Sequence, residues 1–255
     1  MLSLRRVSKE YPGKDAVRDL SVEVPRGEIW GFLGVNGAGK STTMKMIAGL
    51  LKPTSGEILV DGVDVVRDPL RVKAMVGYVP DRPYLYDRLS AAEFMHFVAS
   101  LYPIPKAEVP ALVDRWLAEF ELTEQRGHLI ESFSHGMKQR LVMASVFMQS
   151  PRLLVVDEPM VGLDPRGARR LKELLRRERD ERGLTVLLST HTLDVAEEVC
   201  DQVMLIHKGE LLARGSARDL RSREGERLEE VFLRLTEEGP TAHEPTAQGS
   251  TDERP

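Results

Sequence analysis

Gly34, Gly39, Lys40 and Ser41 fall within GVNGAGKST, residues 34–42, at the spacing G-x-x-x-x-G-K-S. These residue types at that spacing can hold a polyphosphate. Glycines let successive backbone N–H groups curl around phosphate oxygens with no Cβ in the way. The Lys40 amine can then reach the β- and γ-phosphates, and the Ser41 hydroxyl can hold Mg²⁺. Asn36, Gly37 and Thr42 complete the set expected to touch the nucleotide. An ordinary glycine turn at a helix start is the plainer alternative. A strand-like run, EIWGFLG, leads into the loop and a helical run, TTMKMIAGL, leads out of it, which is the setting phosphate binding requires.

LLVVDEP supplies a second group of reactive side chains. Its apolar residues read as a buried strand, with Asp157 at the C-terminal end. Ligands of open α/β sheets bind at that edge. Asp157 can accept hydrogen bonds from Mg²⁺-bound water, and Glu158 can orient or deprotonate an attacking water. On its own Glu158 reads equally as a solvated loop carboxylate. The base is expected to be adenine. The only asparagine, Asn36, lies inside the phosphate loop, so no N-K-x-D guanine reader exists. Tyr11 offers a ring upstream of the loop that can stack on adenine; a strand-end tyrosine without that role is the alternative.

The elements that must position these residues alternate. Strands are expected at MLSLRRVSKEY, AVRDLSVEVP, GEILVDG, MVGYVP and LTVLLST, and a hairpin at QVMLIHKGELLARG with Lys208 and Gly209 in its turn. Helices are expected between Ser90 and Gln149, opened by a Ser90–Glu93 capping box, and at GARRLKELLRRERDERG, TLDVAEEVC and RLEEVFLRLT. Strands alternating with helices predict an α/β fold with mostly parallel strands. An all-helical insertion is expected over about residues 83–150. The tail, 237–255, has few residues able to form a core and is expected to be disordered.

With 255 residues and 42% apolar content, the chain can bury a sizeable core. A net charge of −4 argues against a nucleic-acid partner. Cys200 is the sole cysteine, so no intrachain disulfide forms; a buried, inert thiol is expected there. The first residues carry no secretory signal, and no apolar run approaches the ~18 residues needed to span a bilayer. The expectation is a chain that is soluble, or that reaches a membrane only through a partner.

The order GVNGAGKST, FSHGMKQR, LLVVDEP, GLDP and STH resembles the nucleotide-binding subunit of ABC transporters, over about residues 1–236. The resemblance implies a P-loop NTPase core, an antiparallel β subdomain and a helical subdomain that carries a signature turn. The family's turn reads L-S-G-G-Q. Ser134 and Gly136 match it; Phe133, His135 and Met137 depart. The resemblance implies that two subunits pack head to tail and that Ser134 and Gly136 complete the partner's ATP site. Ser134 also reads as a helix N-cap. Gly162, Leu163 and Asp164 resemble the D-loop at the dimer interface. His191 resembles the switch histidine that meets the γ-phosphate. Asp81 stands where the family has glutamine; it ligates Mg²⁺ directly, or is too short and meets it only through water or not at all. RPYLYDRL is expected to face an integral-membrane permease at the cytoplasmic face of the membrane, and LEEVFLRLT resembles a segment of ATPases that drive type-2 export permeases. The implied activity is Mg²⁺-dependent ATP hydrolysis that powers the permease. Two alternatives remain: a soluble ABC-type ATPase of DNA repair or translation, and an ATP-binding regulator with little turnover.

Overall fold

A computed structural model of the chain describes residues 1–221 and 227–238. The expected disordered tail, 237–255, lies outside the described residues from position 239 onward; Glu237 and Glu238 belong to the last helix.

Two sheets carry the fold. The first strands are β1 (Leu2–Tyr11) and β2 (Lys14–Val24), followed by β3 (Ile29–Leu33), helix α1 (Lys40–Ile47), β4 (Ser55–Val60) and β5 (Val63–Asp64). A short helix α2 (Pro69–Lys73) precedes β6 (Val76–Val79). Helices α3 (Ala91–Ser100), α4 (Val109–Glu119) and α5 (His135–Met148) follow, then β7 (Leu153–Asp157), α6 (Pro165–Arg182), β8 (Thr185–Thr190) and α7 (Leu193–Val199). The chain closes with β9 (Gln202–His207), β10 (Glu210–Gly215), α8 (Ala217–Leu220) and α9 (Leu228–Glu238).

Strands β2-β1-β4-β5 form an antiparallel sheet, and β10-β9-β3-β8-β7-β6 form a second sheet that is parallel except for β10. The parallel strands are buried on both faces, which explains their unbroken apolar runs. Along β7 the pleat sends Leu153 and Val155 to one side and Leu154 and Val156 to the other. The first pair meets a core shared with Met44 and Ile47 of α1 and with Leu4 and Val17 of the antiparallel sheet, so α1 is held between the two sheets. The second pair meets the helical core, where Trp116 of α4 stacks on Phe147 of α5 at 5.3 Å. Such an aromatic pair adds about 0.5–1.5 kcal/mol beyond its burial. A third core lies under α9, where Leu228, Val231 and Leu235 cover Leu205 and Leu212.

Local signals set the boundaries. Ser90 Oγ accepts from Glu93 N, and Glu93 reaches back to Ser90 N at 2.8 Å, so the capping box forms. Gly183, at φ 66°, ends α6 in the left-handed conformation that suits glycine. Helix α2 is an element the sequence pattern missed. It is a single turn whose cap, Asp68, and N1 proline do the work that periodicity cannot show over five residues.

Candidate functional site

The loop between β3 and α1 folds back over the start of the helix. Gly39 sits at φ 108°, and a Cβ there would stand 2.4 Å from the Ala16 carbonyl oxygen, so this position accepts only glycine. The next residue, Lys40, is buried, and its Nζ donates to Gly34 O at 2.6 Å. Burial pushes the Lys40 ammonium below the ordinary lysine range, and the nearby Glu158 and Asp157 carboxylates oppose that shift. The lysine is thus a partly desolvated cation resting on backbone carbonyls beside two acids. A polyphosphate can take that charge over.

Lys40, Ser41, Thr42, Asp81, Asp157 and Glu158 line one cleft of about 200 Å³, together with Asn36, Gly37 and Gly39. The parallel sheet brings them there. Asp157 ends β7 and Asp81 lies just past β6, both at the C-terminal edge next to the phosphate loop. Tyr11 lines an adjoining groove that shares Gly37 with this cleft. Its ring is exposed, and the Lys9 ammonium lies 5.4 Å from the ring centroid.

Asp157 and Glu158 are fixed from β8. The register pairs Asp157 with Ser189. The fully buried Ser189 donates its hydroxyl to Asp157 Oδ1, and Glu158 N donates to Ser189 O at 3.1 Å. Glu158 is held at φ 51°, in the left-handed region, which turns its carboxylate toward His191. His191 Nδ1 lies 2.8 Å from Glu158 Oε1. Sequence reasoning missed Ser189; its only signal was its place two residues before His191 on a strand parallel to LLVVD. Tyr78 on β6 was also missed. Burial pushes its hydroxyl up to about 12, and the Asp157 and Asp81 charges act in the same direction, so it stays neutral.

Ser134, Gly136 and Asp164 do not line this cleft. Ser134 caps α5 by accepting from Met137 N at 3.3 Å, and Asp164 caps α6 by accepting from Gly167 N at 2.7 Å. The loops they belong to interlock. A Cβ on Gly136 would fall 2.5 Å from Gly162 O, and a Cβ on Gly162, at φ 80°, would fall 2.5 Å from the His135 ring. Cys200, the lone cysteine, is a thiol whose pKa burial raises, which removes its nucleophilicity.

The donor set fits Mg²⁺. Among the described residues no cluster of three or more His, Cys, Asp or Glu side chains forms a closed metal cage. One hydroxyl and strand-end carboxylates beside a phosphate cradle suit a hard cation that keeps water and substrate phosphates as its other ligands.

A glycine-rich loop on a helix start, a buried lysine and a strand-end acid define a P-loop nucleotide-binding protein. The family model for ABC transporters matches residues 17–161. SkfE, the SkfA peptide export ATP-binding protein of Bacillus subtilis (strain 168), is 39% identical over 212 residues, covering 83% of this chain and 87% of that protein. A solved ATP-binding subunit of an ABC transporter superposes with a TM-score of 0.87 at 34% identity, over 92% of this chain and 99% of the other. A dimeric ATP-binding cassette in a post-hydrolysis state with ADP and Pi gives 0.79 at 25% identity, over 85% and 98%. The chain belongs to the ABC transporter family. It is an ATP-binding and ATP-hydrolysing subunit that couples to a separate membrane permease. The family uses ATP with Mg²⁺. Among the described residues no helix is long and apolar enough to cross a membrane.

Proposed function

We propose that this chain powers an export permease through a head-to-tail homodimer in which each signature turn completes the other subunit's ATP site. The observation that carries this reading is the division of the site residues. Lys40, Ser41, Asp157 and Glu158 share a cleft, whereas Ser134 and Gly136 stand outside it on a separate, half-exposed helix start. A second copy supplies what the cleft lacks. The dimeric relative supports that arrangement, and the peptide-export relative supports the direction of transport.

Within each composite site, Lys40 neutralises the outer phosphates, and Asn36, Gly37, Gly39 and Thr42 offer the rest of the cradle. Ser41, Asp157 and Asp81, which line the same cleft, would hold Mg²⁺. Bound Mg²⁺ supplies charge neutralisation at the phosphates. Glu158 takes a proton from the attacking water, and its contact with His191 orients the carboxylate. Tyr11 stacks on adenine. Asp164 lies at the dimer interface. The ATPase unit is residues 1–236, with its helical part at about 83–150, and it sits at the cytoplasmic face of the membrane. Tyr84 and Tyr86, both exposed, give the permease an aromatic contact.

Affinity purification from membranes of the source cells tests the reading. The expected result is co-purification of a polytopic membrane protein that stimulates ATP hydrolysis. Recovery of nucleic acid or ribosomes instead would favour a soluble ABC-type ATPase.

A further inference from the structure

The hairpin between β9 and β10 turns on two residues, Lys208 at φ 48° and Gly209 at φ 85°. Positive φ at both positions is what a tight two-residue hairpin turn requires. Gly209 is buried, and it lies between two parts of the nucleotide site. Its N–H donates to Ala38 O, inside the phosphate loop, at 2.9 Å. Its carbonyl accepts from Arg18 N, on β2, at 2.8 Å. A Cβ at this position would stand 2.9 Å from Ala16 O and 3.1 Å from Val17 Cα. Ala16 O is also the atom that a Cβ on Gly39 would strike, so the hairpin turn, β2 and the phosphate loop converge on one carbonyl. The same hairpin meets the other end of the loop, where the Ile206 carbonyl packs against Gly34.

The bond to Ala38 has a consequence for the next residue. A peptide unit is planar, so holding the Ala38 carbonyl also fixes the direction of the Gly39 N–H. Gly39 lines the nucleotide cleft, and its N–H has no acceptor among the described residues. We propose that Gly209 is a positioning residue for ATP: the hairpin turn sets the Ala38–Gly39 peptide so that the Gly39 N–H is already aimed at a phosphate oxygen when the nucleotide arrives. The inference rests on the assignment of the loop to ATP. Joining the hairpin to β2 would need only the Arg18 bond; the Ala38 bond serves the loop. A side chain at 209 must back away from Ala16 O and so draws the turn off Ala38.

The test compares the full chain with Gly209→Ala, using ADP as the probe. Calorimetry reads affinity, and the amide resonance of Gly39 in ¹⁵N-labelled protein reads the bond itself. In the unaltered chain, ADP should move the Gly39 amide proton downfield. In Gly209→Ala, ADP affinity should fall roughly tenfold, the worth of one hydrogen bond to a charged group. The Gly39 proton should then move less even at saturating ADP, a change that a general loss of stability would not produce. A full shift in the saturated variant overturns the proposal. A Gly39 amide that ADP leaves unmoved in the unaltered chain would instead overturn the assignment of the loop. Should Gly209→Ala not fold, amide hydrogen exchange in the unaltered chain decides. ADP should slow exchange at Gly209 more than at the ladder amides of β10; equal slowing along the hairpin overturns the proposal.

Discussion

His191 Nδ1 and Glu158 Oε1 stand 2.8 Å apart, although 33 residues separate them in sequence. The contact makes the acid at the end of β7 and the histidine after β8 a single unit. Glu158→Gln should keep ATP binding and lose about 10²- to 10⁴-fold in hydrolysis, the usual cost of a missing positioned base. His191→Ala should lose much of the same activity, and the double variant should be little worse than Glu158→Gln alone. Steady-state ATPase rates measure this; fully multiplicative losses would separate the two residues.

The trans assignment of Ser134 has a complication, because its hydroxyl also caps α5. Loss of a cap costs about 0.5–2 kcal/mol. Ser134→Asn keeps a capping side chain, while Ser134→Arg places a bulky cation at the helix start. Both variants should bind ATP as monomers with near-normal affinity, and Ser134→Arg should abolish hydrolysis. Mixing Ser134→Arg with Lys40→Ala should restore at most one working site per heterodimer. A monomeric Ser134→Arg chain that has lost ATP affinity would place the turn in its own site instead.

Gly136→Ala tests the interlock between the two loops. The added methyl would meet Gly162 O at 2.5 Å, so one loop must move. The expected outcome is retained nucleotide binding, weakened ATP-dependent dimerisation and reduced turnover, read by sizing chromatography and an ATPase assay. Unchanged dimerisation would show that the loops do not act together.

Lys40 is held in its site at the expense of stability. Its folded pKa lies below the ordinary 10.5, so between those values the unfolded chain binds more protons than the folded one. Stability of the nucleotide-free protein should therefore rise as pH climbs through the folded pKa toward about 10.5. Lys40→Met should lack that rise and should be the more stable protein near neutral pH, with ATP binding lost. Urea melts from pH 7 to 10 compare the two slopes; parallel curves would refute the linkage.

Asp81 shares the cleft with Asp157 and Glu158, beside the neutral hydroxyl of Tyr78. If its carboxylate ligates the metal, Asp81→Gln should need more Mg²⁺ for half-maximal ATPase activity. Superimposable Mg²⁺ titrations would leave Asp81 without a metal role.

Much of this was legible in sequence because the signals are local. The glycine and lysine spacing, the Ser90–Glu93 box and the Lys208–Gly209 turn each lie within a few residues, and each forms as read. What escaped depends on register between distant segments. Nothing in LTVLLST marks Ser189 as the residue opposite Asp157 until β7 and β8 are paired. Gly136 and Gly162 reveal their contact only once α5 and the start of α6 are packed. The Gln139 amide reads as one more polar residue of a helix that proves buried on nearly every side.

Strand β3, which leads into the phosphate loop, lies between β8 and β9, and Gly34 packs against the Ile206 carbonyl. Both neighbours are made long after the loop itself. On the ribosome, the loop must wait through most of translation for the strands that frame it. A nascent chain released before β9 should therefore fail to retain nucleotide even though it already contains every residue of the loop, so that ATP capture reports a finished polypeptide.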